Sequence, residues 1–122
     1  MFHYEKKANI PEYYWNEPDD CGRQERFDKA KKKYGFDPRE LWSLDYAFIA
    51  WIYPRLKLFT KTAKGQYPDC FKSCKDWQLI LKEMIDGFEY YLKTDGIYDD
   101  EACKRLENSM DLFRKYYRNL WY

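Results

Sequence analysis

Residues 41–53 read Leu-Trp-Ser-Leu-Asp-Tyr-Ala-Phe-Ile-Ala-Trp-Ile-Tyr, and they constrain this chain more than any other stretch. They are apolar on nearly every face of a helix, so a helix built from them is predicted to be central and surrounded by others. Its start is well marked. Asp37-Pro38-Arg39-Glu40 supplies a capping carboxylate, a proline at the first helical position and a glutamate three residues after the cap. The helix continues through Leu56 and Phe59 towards a stop at Gly65. Pro54 removes a backbone donor and crowds the carbonyl of Ala50, which predicts a kink.

A helix of this kind needs neighbours, and the pattern supplies three. Residues 22–34 form a charged helix with a narrow stripe of Phe27, Ala30 and Tyr34, closed by Gly35. Residues 74–94 place Trp77, Ile80, Leu81, Met84, Ile85, Phe88, Tyr91 and Leu92 at helical spacing behind a Ser73 cap. Gly87 inside that helix is unfavourable by about 1 kcal/mol relative to alanine, which predicts close packing of another backbone or a bulky ring. After Gly96, Asp99 or Asp100 starts a fourth helix over 100–120, with Cys103, Leu106, Met110, Phe113, Tyr117 and Leu120 inward. No segment alternates with a period of two. The predicted fold is therefore all-α, a compact bundle of about four helices with a kinked central helix. Residues 1–20, punctuated by Pro11 and Pro18 around Tyr13-Tyr14-Trp15, read as an extended aromatic N-terminal arm, and 21–122 as a single helical domain.

With 122 residues, the chain is long enough to bury a core without metal or disulfide staples. Aromatic residues make up 21% of it, with 13 of them tyrosine, which packs and hydrogen-bonds at once. The start of the chain lacks a basic region followed by an apolar one, and 41–53 is shorter than the roughly 20 residues a bilayer requires. These features predict a cytoplasmic protein that does not engage a membrane. Cys21, Cys70, Cys74 and Cys103 are then expected as reduced thiols. Cys70 and Cys74 are spaced more widely than the commonest zinc motif, and His3 is the single histidine, so no metal and no cofactor is predicted.

Charge is unevenly spread. Residues 22–64 hold 11 Lys and Arg against 5 Asp and Glu, whereas 83–111 hold 3 against 9. Either the two segments neutralise each other, or they form a dipolar surface that drives homo-oligomerisation or steers a charged partner. Asp45 stands in the middle of the apolar run, where a lone charge is expensive. It is expected either to pair with a cation such as Arg114, Lys115 or Arg118, or to be a pocket carboxylate beside Trp42 and Tyr46. Downstream, Arg55, Lys57, Lys61 and Lys64 form a basic stretch with no acid from 54 to 64. Arg55 suits a phosphate fork, and Trp51 and Tyr53 suit base stacking. The candidate ligand-binding set is Trp42, Asp45, Tyr46, Trp51, Tyr53, Arg55, Lys57 and Lys61. A solvated helix face explains the same cations.

Catalytic signatures are scarce. There is no glycine-rich phosphate loop and no nucleophile elbow, so no catalytic residue is assigned. One enzymatic reading rests on Glu83 and Asp86 as E-x-x-D with Glu107 and Asp111 on the next helix, a set suited to Mg²⁺-dependent pyrophosphate hydrolysis. The all-α nucleotide pyrophosphohydrolases pair such a motif with an upstream E-E-x-x-E, which this chain lacks. Duplex DNA is a poor match, because Lys31-Lys32-Lys33 cluster at one helix end with no helix-turn-helix pattern.

The stretches Leu41-Trp42-Ser43-Leu44-Asp45, Pro54-Arg55-Leu56-Lys57, 80–89 (ILKEMIDGFE) and 111–116 (DLFRKY), with the tail 118–122, occur in a fixed order. On these, residues 37–122 resemble a group of short uncharacterised proteins of tailed bacteriophages and prophages. The resemblance implies a phage origin and the cytoplasm of a bacterial host, and it carries no activity with it. The leading functional expectation is a small non-catalytic binding protein, of counter-defence type, that sequesters a nucleotide signal or blocks a host protein. A structural or assembly accessory of the phage is the second expectation, and the Mg²⁺-dependent hydrolase the third.

Overall fold

The computed structural model describes residues 23–63, 65–96 and 99–121. The aromatic arm and Cys21 lie outside them. The chain is all-α, with four α-helices among the described residues: α1 (Arg23–Tyr34), α2 (Leu44–Thr62), α3 (Cys74–Lys93) and α4 (Asp100–Tyr116). A 3-10 segment (Pro38–Ser43) precedes α2, and another (Tyr117–Asn119) follows α4. By its contacts the chain divides into two units, one ending at Trp51 and the other beginning at Ile52.

The first unit is organised by a buried ion pair. Asp37 Oδ1 accepts from the Arg39 backbone N–H at 2.9 Å, capping the 3-10 segment. The same carboxylate takes the Arg39 guanidinium in a two-point grip, Nε to Oδ1 at 3.0 Å and Nη2 to Oδ2 at 2.6 Å. Both residues are buried. The guanidinium lies 4.6 Å from the Phe27 ring centroid, and Nη1 donates to Gln24 Oε1 at 3.2 Å, so one arginine ties the 3-10 segment to α1. Trp42 meets the same Phe27 ring edge-on at 5.7 Å. Helix α1 stops where Gly35 takes φ of 83°, its N–H bonding the Lys31 carbonyl at 2.8 Å.

The start signal at Asp37 is therefore separated from the α-helix by a six-residue segment, because the capped turn closes as a 3-10 helix. This moves two sequence expectations. Asp45 lies in the first turn of α2, where a carboxylate complements the helix dipole, and it is exposed, not buried among apolar side chains. Nor is the run 41–53 surrounded. Ala47, Ile49, Ala50 and Ile52 are buried, while Leu41, Trp42, Leu44 and Trp51 each keep more than two-fifths of their surface exposed. Pro54 sits inside α2 without ending it.

In the second unit the core runs along one stripe of α3. Trp77, Leu81, Met84, Phe88 and Tyr91 are all buried, as are Ala102 and Leu106 of α4, Leu56 of α2 and Ala63. Each fully buried large side chain contributes about 1.5–3 kcal/mol. Ser73 caps α3 by accepting from Asp76 N–H at 3.3 Å, and Asp99 caps α4 by accepting from Ala102 N–H at 2.8 Å. Helix α3 ends in paired reverse bonds, Gly96 N–H to the Tyr91 carbonyl at 2.9 Å and Asp95 N–H to the Leu92 carbonyl at 3.1 Å. Both Asp95 and Gly96 have positive φ there, the arrangement that closes off carbonyls a helix end leaves open.

Helices α3 and α4 meet at Gly87. A Cβ at that position would overlap the carbonyl of Arg105, whose carbon lies 2.6 Å from it, and the hydroxyl of Ser109. The close neighbour expected from the sequence is thus the backbone of α4. Ser109 Oγ, wholly buried, accepts from the Gly87 N–H at 2.8 Å and donates to the Glu83 carbonyl at 3.3 Å. It enters between two groups that a plain helix joins to each other.

Candidate functional site

The second half of α2 is fastened to α3 at two points. The Tyr53 hydroxyl donates to Glu89 Oε2 at 2.5 Å, and Gln78 Nε2 donates to the Thr60 carbonyl at 3.2 Å. Between these bonds lies a groove of about 540 Å³. Helix α2 lines it with Lys57, Thr60 and Lys61. Helix α3 lines it with Gln78, Lys82, Ile85, Asp86 and Glu89, which recur at helical spacing along one face.

Five of the lining groups are charged, and they are not equivalent. Asp86 is held in a two-point grip by Arg105, with Nε to Oδ2 at 2.9 Å, and the guanidinium stacks 4.2 Å from the Tyr90 ring centroid. The Arg105 hydrogen bonds hold the Asp86 carboxyl below its ordinary range. Glu89 is likewise held low, first by the Tyr53 hydroxyl and then by the charges of Lys93, 3.6 Å away, and Lys57. Tyr53 is pushed up to about 12, mainly by burial and then by donating to Glu89. Both carboxylates are thus already compensated. Lys57 lies 5.3 Å from the Tyr53 ring centroid and shares the field of Glu89. Among the described residues, Lys61 and Lys82 enter no salt bridge. The surplus in the groove is positive, and it sits where an anion can reach it.

Of the eight residues proposed from sequence, Lys57 and Lys61 line this groove, and Tyr53 anchors its edge through Glu89. Arg55 is exposed on α2 and does not line it. Trp42, Asp45, Tyr46 and Trp51 belong to the first unit, with Tyr46 half-buried and the others exposed. The contribution missed from sequence is that of α3. Gln78 and Lys82, four residues apart and in line with Asp86 and Glu89, were the available signal.

The four carboxylates of the hydrolase reading do not gather. Glu83, Asp86, Glu107 and Asp111 are exposed, Asp86 is taken by Arg105, and no set of three or more His, Cys, Asp or Glu among the described residues is placed to hold a metal ion. Cys70, Cys74 and Cys103 are free thiols. No described helix is long and apolar enough to cross a membrane.

No protein-family model matches the chain, and no solved structure matches it. The chain is similar to the dermonecrotic toxin LvSicTox-alphaII1 of Loxosceles variegata, at 33% identity over 84 residues, covering 50% of this chain. It spans 30% of that toxin's length.

Proposed function

We propose that the chain is a small phage-encoded, non-catalytic binding protein that captures a phosphate-bearing small molecule, a nucleotide signal in a counter-defence role, in the groove between α2 and α3. One observation carries this reading: the groove's carboxylates are neutralised from within the fold, while Lys61 and Lys82 line it and enter no salt bridge among the described residues. Lysine acts on phosphate as a point charge and gains strength where water is partly excluded. Thr60 and Gln78 add neutral hydrogen-bonding groups beside them. The exposed Leu41 and Leu44 favour the second reading, an apolar surface that blocks a host protein.

Isothermal titration with ADP tests the groove. The expected result is one saturable site, weakened about tenfold in each of Lys61→Ala and Lys82→Ala, with ADP recovered intact. Lysine contacts also predict loss of affinity with added salt. Affinity unchanged in the double variant, or no binding of ADP or pyrophosphate, removes the groove from consideration and leaves the apolar surface.

A further inference from the structure

The loop between α2 and α3 makes a second, smaller cavity that shares no lining residue with the lysine groove. Gly65 turns the chain with φ of 89°, and its N–H bonds Cys74 Sγ at 3.2 Å. Phe71 then packs on Trp77 and Tyr116, at 5.3 and 5.4 Å between ring centroids, which pins the loop against the core. The loop and the tail after α4 close around a notch of about 80 Å³, lined by Gln66, Tyr67, Pro68, Trp77, Asn119 and Trp121.

Two features of the notch point to a ligand. Trp77 is 1% exposed and forms a buried edge, whereas Tyr67 and Trp121 are 45% and 73% exposed. Neither Tyr67 nor Trp121 makes a ring contact with another described residue, whereas Trp77, which shares the notch, packs on Phe71 and Tyr116. Exposed aromatic side chains that line a cavity offer stacking surfaces. Second, no charged side chain lines the notch, and beside the Tyr67 hydroxyl and the indole N–H groups its lining residues bring two primary amides, each offering a donor pair and an acceptor.

We propose that this notch binds a planar single-ring heterocycle with a mixed donor and acceptor edge, of the pyrimidine type. Size sets the ring count. A closed cavity of about 150 Å³ takes one benzene ring, so an open notch of about 80 Å³ encloses no more than part of a single ring. The amides set the chemistry. A quaternary ammonium also suits an aromatic cage, but it has no group to meet Gln66 and Asn119. A pyrimidine edge satisfies both while its faces stack on Tyr67 and Trp121. The site is independent of the phosphate reading, since a neutral nucleoside engages it without the lysines.

The test is a titration of the ¹⁵N-labelled full chain with uridine, followed on the tryptophan indole N–H signals. Saturable shifts of the Trp77 and Trp121 signals are expected. Followed on Trp77, affinity falls about tenfold in Trp121→Ala and in Asn119→Ala. Trp121→Phe retains a stacking face and keeps most of the affinity, and Lys82→Ala leaves it unchanged. Trp121 is mostly exposed, so unliganded spectra of its variants confirm the fold. The proposal is overturned by any of three results: no saturable shift with uridine, affinity indifferent to Trp121→Ala, or the same signals answering to tetramethylammonium and not to uridine.

Discussion

Leu81 on α3 and Leu44 at the head of α2 are the same residue type in opposite surroundings, 0% and 58% exposed. The helix with the purer apolar sequence is the one that leaves its leucine in water. On α3, Trp77, Leu81, Met84, Phe88 and Tyr91 form a single stripe that one contact surface buries, while Leu79, off that stripe, stays 52% exposed. The run 41–53 is apolar all round, and a helix cannot cover its own circumference. Burial there falls to Ala47, Ile49, Ala50 and Ile52. The lesson is that the phase of apolar residues governs burial more than their amount.

The strongest way to break this comparison is a paired truncation read by urea unfolding. Leu81→Ala is expected to lose about 3 kcal/mol. Leu44→Ala is expected to stay within about 0.5 kcal/mol of the parent. Equal losses would show that the head of α2 is covered as thoroughly as α3.

A smaller effect sharpens the account of the α3–α4 seam. Gly87→Ala gains helix propensity but drives a methyl into the Arg105 carbonyl, for a net loss of about 2 kcal/mol. Stabilisation by this change would mean that the two helices are not in backbone contact.

The least effect concerns the fastening of α2 to α3. Because Tyr53 is raised from 10.0 to about 12 in the folded state, its contribution is fully present below pH 10 and is lost as pH rises from there towards 12. Glu89 behaves oppositely: held low by Tyr53, it contributes above the ordinary carboxylate range and loses that contribution as pH falls through it. Tyr53→Phe therefore flattens the alkaline decline in thermal stability and lets Glu89 titrate nearer its usual value. An unchanged alkaline profile would detach Tyr53 from that decline.

Local signals were legible wherever one residue type answers a local need. Gly35 and Gly96 at helix ends, Ser73 and Asp99 at helix starts, and the period of α3 all act within a few residues of themselves. The glycine at 87 was readable as a close approach, although not what approaches it. Half of the groove was readable too, through Lys57 and Lys61. Asp45 was misplaced because the Asp37 cap opens a 3-10 turn first, and the six-residue delay moves the carboxylate from helix interior to helix start. Arg39 gave no warning of its burial, since nothing in its neighbours announces that Phe27 will lie under its guanidinium.

By itself, then, the sequence determined that this chain is helical, where most of its helices begin and end, and which face of α3 turns inward. These depend on caps, turn residues and a 3.6-residue period, all of short range. On α4 the structure buries Ala102 and Ser109 beside Leu106, where Cys103, Met110 and Phe113 were expected and are half-buried. Only the tertiary structure decided that Lys82 joins Lys57 and Lys61 across a groove, that Arg105 and Tyr53 silence the carboxylates there, and that Tyr67 and Trp121 line one notch. Those groups are separated by many residues, and what brings them together is the packing of whole helices, which no local pattern encodes.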